Sequence, residues 1–233
     1  MIVKMNNSKL RTALFLHIII VLMEIIITNY VYATRNGLEM FYHYTEVSNF
    51  LCLLSSGAFV LFMLPALSKG RTSGFVSTYM MQHYKGSDEL PAWLITVRYV
   101  VVCSLMLTFF IVFAVLGPKK GFDEELFSGV HPLDHFFVPL MSLFSFLFLE
   151  DKATLPKAAP VWTLIPTAVY AVIMLILNAA RITVGPYFFL RVYEQPVIKT
   201  IIWVVVVMGI NYLLSWLVWK AYNGRVKADK RNG

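Results

Sequence analysis

Two histidines and an aspartate, His131, Asp134 and His135, stand at i, i+3 and i+4 within a largely apolar run. On a helix that spacing turns all three toward one neighbour. An earlier run carries Thr45, Ser48, Asn49, Cys52 and Ser56 at i, i+3, i+4, i+7 and i+11, a single stripe of hydroxyl, amide and thiol groups. Glu24 and Thr28 repeat the four-residue step in a third run, while Asn29 and Asn178 fall near the ends of two runs. A hydroxyl is a weak nucleophile until a base takes its proton, and an imidazole with an ordinary pKa of about 6.5 does so at neutral pH. Thr45 or Ser48 with His135 supplies such a pair. Asp134 adjoins His135 in sequence, so on an ideal helix the two diverge by about 100°, and Asp134 is better spaced to orient His131. Asn49 offers an amide donor to an oxyanion. Glu24, His131 and His135 also form an alternative metal-ligand set, because histidines at i, i+4 present two nitrogens to one ion. Plainer explanations stand beside these. Small and hydroxylated residues let helices pack closely, and Asp134 with its histidines can cap a helix N-terminus at a membrane interface.

Whatever chemistry these groups do, the elements carrying them belong in a bilayer. Of 233 residues, 58% are hydrophobic and only 14% charged, with a mean hydropathy of +0.69, too few polar side chains to wet a soluble globule. Crossing a hydrocarbon core of about 30 Å takes roughly 20 helical residues. Six runs approach that length, at 12–33, 42–65, 92–116, 130–149, 161–179 and 197–219. They predict an all-α polytopic membrane bundle forming one domain over 1–233. Gly and Pro at Pro65, Gly70, Pro91, Gly117-Pro118, Pro156, Pro160, Gly185-Pro186 and Pro196 mark the expected joints. The first run, after Lys4, Lys9 and Arg11, has a signal-peptide-like Val31-Tyr32-Ala33 but exceeds the usual length of such a segment. Cys52 and Cys103 both lie in apolar runs, where a thiol is a small hydrophobe, and neither belongs to a zinc or redox spacing.

The net charge of +7 comes from cations at the chain ends and in short connections, the pattern of membrane-flanking residues and not of a nucleic-acid surface. Lys4, Lys9 and Arg11, then Lys69, Arg71 and Lys85, then Lys152 and Lys157, then Lys220, Arg225, Lys227, Lys230 and Arg231 alternate with connections holding Arg35, Lys119, Lys120, Arg181 and Arg191. Placing the first set inside predicts both termini in the cytoplasm. The second run then enters from outside at His43 and the fourth at His131, and the first and fifth exit near Asn29 and Asn178. The polar residues thus share one leaflet, as an outer pocket formed by Glu24, Thr45, Ser48, Asn49, His131, Asp134, His135 and Asn178.

Three segments within this layout carry a resemblance: Phe41-Tyr42-His43-Tyr44-Thr45-Glu46-Val47-Ser48-Asn49, His131-Pro132-Leu133-Asp134-His135-Phe136-Phe137-Val138-Pro139-Leu140, and Gly185-Pro186-Tyr187-Phe188-Phe189-Leu190. In order and spacing the chain resembles a bacterial six-helix family similar to the eukaryotic group of androgen-induced protein and androgen-dependent TFPI-regulating protein. The eukaryotic members are intramembrane threonine hydrolases of hydroxy-fatty-acid esters, which use a Thr on an early helix and a His on a later one. The resemblance implies Thr45 as nucleophile and His135, four residues before Pro139, as base, with His131 the rival. It also implies membrane lipids as surroundings, a fatty-acid ester as substrate, a bacterial plasma-membrane location and no cofactor. The eukaryotic motif spaces its His differently from the proline, and no GxSxG nucleophile motif is present. Two other classes stay open. In a carrier, Glu24, Arg98 and the histidines would serve as substrate or proton sites, although no inverted repeat is evident. In a non-catalytic assembly factor, the same groups would hold helices together.

Overall fold

The computed structural model describes residues 7–67, 92–150 and 154–232 and is helical throughout its long elements. Helix α1 spans Asn7–Thr34, and a 3-10 segment, Gly37–Tyr42, leads into α2, Tyr44–Leu67. Helix α3, Ala92–Ile111, continues through a π-helical turn, Val112–Leu116, and a last turn, Gly117–Lys120. A short surface helix, α4, covers Phe122–Phe127. Helix α5, Leu133–Phe148, opens with a π-helical stretch, Leu133–Phe137. Helices α6, Ala159–Ala179, and α7, whose 36 residues run Val197–Asn232, complete the bundle.

Five of these helices are long and apolar enough to cross a membrane: Arg11–Thr34, Tyr44–Met63, Trp93–Lys120, Ala159–Ala179 and Val197–Ala228. Helix α5 is apolar but shorter, roughly 24 Å at ~1.5 Å per residue, against a core of about 30 Å. The chain is thus a multi-pass membrane protein by helix length and hydropathy. Its surface agrees. Phe15, Leu22, Leu54, Leu61, Ile176 and Leu213 all point outward, while Glu24, Arg98, Asp134, Glu150 and Asn211 are wholly enclosed. An apolar exterior over a polar interior suits hydrocarbon, where exposed aliphatic side chains cost nothing and polar ones need protein partners. The cations expected at Lys4, Lys69, Arg71, Lys85 and Lys152 lie outside the described residues, as do the joints at Gly70 and Pro91.

Successive helices alternate in direction. Ala13 and Leu14 of α1, Phe59 and Met63 of α2, Leu94 of α3, Phe146 of α5, Ala159 of α6 and Tyr222 and Val226 of α7 form one apolar cluster at what we call the terminal end. At the far end, Ile27 and Val31 of α1 meet Met40, Val130 and Val138, and Tyr44 packs with Leu116, Tyr187 and Leu190. A hydroxyl chain sews α6 to its neighbours. The Asn211 amide donates to Thr167 Oγ1 at 2.8 Å, Thr167 shares a proton with the Tyr44 hydroxyl at 2.8 Å, and Thr163 does so with Ser215 at 2.7 Å.

One of the expected joints is not a helix end. Gly117-Pro118 lies within the course of α3, which stops only at Gly121, where φ is +107°. Pro139 likewise sits inside α5. A proline has no N–H for the carbonyl four residues back, and in both places the residue before it reaches one residue further: Gly117 N–H bonds the Val112 carbonyl and Val138 N–H the Leu133 carbonyl. Each π-turn lets its helix run on through a proline. The two turns face each other through Phe113 and Phe136, whose ring centroids are 6.2 Å apart.

Candidate functional site

The stripe on α2 faces inward as its spacing predicts. Thr45, Ser48, Asn49, Cys52 and Ser56 are all buried. Ser48 donates to the Thr45 carbonyl at 2.9 Å and shares a hydrogen bond of 2.9 Å with Thr108 of α3. Asn49 has both amide hydrogens engaged, donating to the Thr45 carbonyl at 2.9 Å and to the Asp134 carbonyl at 3.3 Å. The amide expected to face an oxyanion is therefore a staple between the first turn of α2 and the π-turn of α5.

That π-turn resolves the divergence expected of neighbouring residues. Asp134 and His135 are both enclosed, and Asp134 Oδ1 lies 3.7 Å from His135 Nε2, beyond hydrogen-bonding distance. The imidazoles are held from the other side by α4, an element with no signal in the apolar pattern. His135 Nδ1 is 2.6 Å from the Glu125 carbonyl and His131 Nδ1 is 2.8 Å from that of Glu124. A carbonyl only accepts, so each neutral ring carries its hydrogen on Nδ1 and leaves the Nε2 lone pair open, the tautomer a general base needs. The two rings lie 4.8 Å apart. Among the described residues no three His, Cys, Asp or Glu side chains come together as a metal site, so the set of Glu24, His131 and His135 gains no support.

Thr45 looks the other way, into a cavity, partly open to the surroundings, between α2, α3, α6 and α7. Leu107, Ile111, Ala171, Val204, Val207 and Met208 make its walls apolar, and Tyr187, Phe189 and Leu190 of the connection after α6 close its far end. No charged side chain and no histidine lines it among the described residues. His135 is consequently not on this cavity, and no hydrogen bond joins it to Thr45. The connection itself hangs on Asn178, whose amide donates to the Thr183 carbonyl at 2.9 Å while its oxygen accepts from Val192 N–H at 2.8 Å. Asn178 is a loop clamp and does not face the cavity.

Glu24 is enclosed with no partner for either carboxylate oxygen except the neighbouring Cys52 thiol. Both Asp134 oxygens and Asn49 Oδ1 are also unpartnered among the described residues. Glu46, three residues before Asn49, has Arg35 at 3.9 Å. His43, between α1 and α2, packs edge-on to Tyr187, and burial, then the nearby Arg35 and Lys120 charges, pull its pKa down to about 3.

Sequence spacing gave no sign of a second polar group at the terminal end. Arg98 of α3 donates from Nε and Nη2 to the two Glu150 oxygens at 3.2 and 3.0 Å, from Nη1 to Ser55 at 3.3 Å and from Nη2 to Ser142 at 3.1 Å. His17 Nε2 lies 3.0 Å from Glu150 Oε1. Lone ionisable residues within or at the end of three apolar runs, His17, Arg98 and Glu150, were the available signal, since each needs a partner inside hydrocarbon. No family model, no curated protein and no solved structure matches the chain.

Proposed function

We propose that this membrane protein crosses the bilayer six times with both termini in the cytoplasm and hydrolyses a long-chain ester. The observation that carries the reading is the apolar cavity with the Thr45 hydroxyl on its wall, a slot for an acyl chain with a nucleophile beside it. Two further features support it: the Asn49 staple, which ties the Thr45 turn to the Asp134-His135 turn, and the three-motif resemblance to intramembrane threonine hydrolases. In this mechanism His135 Nε2 takes the Thr45 proton as Oγ1 attacks the ester carbonyl. The tetrahedral intermediate collapses with cleavage of the bond to the leaving oxygen, which receives the proton back from His135. Water then repeats the sequence on the acyl-threonine and frees the fatty acid. The step requires His135 Nε2 within hydrogen-bonding reach of Thr45, a contact that catalytic groups often complete only when substrate is bound.

The test is labelling of the purified full chain by a fluorophosphonate probe, alongside hydrolysis of a panel of long-chain esters. Thr45→Ala and His135→Ala each abolish both signals, and the double variant is no worse than either single, because they are parts of one mechanism. Thr45→Ser keeps some activity, and His131→Ala is milder than His135→Ala. Wild-type rates in Thr45→Ala, or a wild type that takes no probe and cleaves no ester, end the hydrolase reading. A reporter fused after Gly233 reads cytoplasmic if the six-crossing arrangement holds.

A carrier remains the second reading, favoured by the enclosed Glu24 and Asp134 carboxyls, whose oxygens have no nitrogen or oxygen partner among the described residues. Its signature is uptake that depends on pH and is lost in Glu24→Gln while Thr45→Ala retains it.

A further inference from the structure

We propose that Tyr187 is the oxyanion donor of this site, the group whose O–H meets the ester carbonyl oxygen as Thr45 attacks; the assignment rests on the hydrolase reading above. The third motif, Gly185-Pro186-Tyr187-Phe188-Phe189-Leu190, otherwise has no task in that reaction. Its geometry gives it one. Gly185 turns the chain with φ at +81°, a conformation that side chains rarely adopt. The Arg191 guanidinium donates to the Gly185 carbonyl at 3.2 Å and the Gln195 amide to that of Phe189 at 2.8 Å. The Tyr187 ring is buried, stacked on Phe189 at 5.2 Å and 6°, with Trp203 stacked on Phe189 in turn at 5.4 Å. A phenol so fixed loses no freedom when it meets a developing charge, which is the condition for oxyanion stabilisation.

The direction of its proton follows from the partners. Tyr44 N–H, at the start of α2, donates to the Tyr187 hydroxyl oxygen at 3.0 Å, so the oxygen is the acceptor there and the single O–H proton remains to be given. The Thr45 side chain and backbone are hydrogen-bonded to that hydroxyl as well, so in the free site the Tyr187 O–H and the nucleophile face each other, and both residues line the cavity. The other hydroxyls on the wall are committed. Tyr44 and Thr167 share a proton with each other, Thr108 is bonded to Ser48, and Tyr170 donates to the Tyr42 carbonyl at 2.6 Å. Asn49 has spent its amide hydrogens on carbonyls. An ester carbonyl carbon within reach of Thr45 Oγ1 thus has the Tyr187 O–H as its available neighbour. As the Thr45–carbon bond forms, the carbonyl π pair moves onto oxygen, and Tyr187 donates a hydrogen bond to that oxygen without transferring its proton. Burial, chiefly, raises the Tyr187 pKa to about 12, so the donor stays protonated.

The competing role is a purely structural cap on α2, and the experiment separates the two. In the full chain, Tyr187→Phe removes acceptor and donor together; the proposal expects kcat to fall by about a hundredfold or more, the usual loss for one oxyanion donor, with KM little changed. Replacing Tyr187 by 3,5-difluorotyrosine keeps the shape and the acceptor but makes the phenol more acidic. Ionisation would strengthen a cap, whereas it destroys a donor, so the proposal expects an alkaline fall in kcat at a lower pH than in wild type. That measurement also decides the matter if Tyr187→Phe fails to fold. An active wild type with an unchanged difluorotyrosine pH profile, or a folded Tyr187→Phe with wild-type kcat, overturns the Tyr187 assignment and leaves the hydrolase standing. A wild type that cleaves no ester and takes no probe overturns both.

Discussion

The two polar groups inside this bundle are equally enclosed and differently finished. At the terminal end, Arg98 binds both oxygens of Glu150 and two serines, and His17 adds a fifth side chain through Nε2, with its Nδ1 the one atom of these five left without a partner among the described residues. At the far end, Glu24, Asp134 and the Asn49 oxygen are enclosed with their acceptor capacity largely unspent. A closed network returns the cost of burying charge as helix-to-helix attachment, here tying α1, α2, α3 and α5 to Glu150. An open one is a standing destabilisation, of a kind that proteins tolerate mainly where function requires it. The cavity and all three motifs lie at the open end. The contrast therefore separates the part of the molecule that holds the helices from the part available for chemistry.

The strongest way to break this comparison is at Arg98. Arg98→Met strips Glu150 of its arginine and leaves it the His17 imidazole, 3.0 Å from Oε1, in an interior where all three residues are fully enclosed, and the expected loss is about 3–5 kcal/mol of stability. Expression and the thermal midpoint in detergent report it. Arg98→Met combined with Glu150→Leu should be milder than the arginine change alone, because no orphaned charge remains. If Arg98→Met melts like wild type, the terminal-end network is not what holds the bundle.

Glu24→Met reverses the sign. It removes a carboxyl with no nitrogen or oxygen partner among the described residues and keeps a chain of similar length, so the bundle gains about 1 kcal/mol. A higher melting midpoint joined to lower activity would sharpen the division between the two ends. A clear loss of stability would mean that the Glu24 carboxyl is as structural as Glu150.

The smallest effect is a slope at His43. Its pKa falls from the ordinary 6.5 to about 3 in the folded chain, so between those values the unfolded chain binds the proton and the folded chain does not. Stability at this site is therefore greatest above pH 6.5 and is lost as pH falls toward 3. Melting midpoints at pH 7 and pH 5 should differ less in His43→Gln than in wild type; an unchanged difference would assign the acid sensitivity to other groups.

The stripe on α2 was legible because a helical period of about 3.6 fixes which residues share a face, and Thr45 through Ser56 are buried together as that period requires. Helix ends were less legible. Pro118 and Pro139 signal termination locally, yet each is carried by a π-turn one residue upstream, and in α5 that extra residue brings both Asp134 and His135 inside. Helix α4, six residues long, has no apolar run to announce it, although its carbonyls set the tautomers of His131 and His135.

What the sequence determined alone is what depends on one segment at a time: apolar runs long enough to seek a bilayer, and the polar residues that must share a face within each run. Which faces meet was decided only by the tertiary structure. Glu150 lies 133 residues from His17 and 52 from Arg98, and no periodicity within a helix says that these three converge. The same holds for Thr45, which shares a stripe with Asn49 but turns toward Tyr187, while Asn49 turns toward Asp134. Side-chain period fixes a direction from the helix axis, and only the packing of one helix against the next decides what stands in that direction.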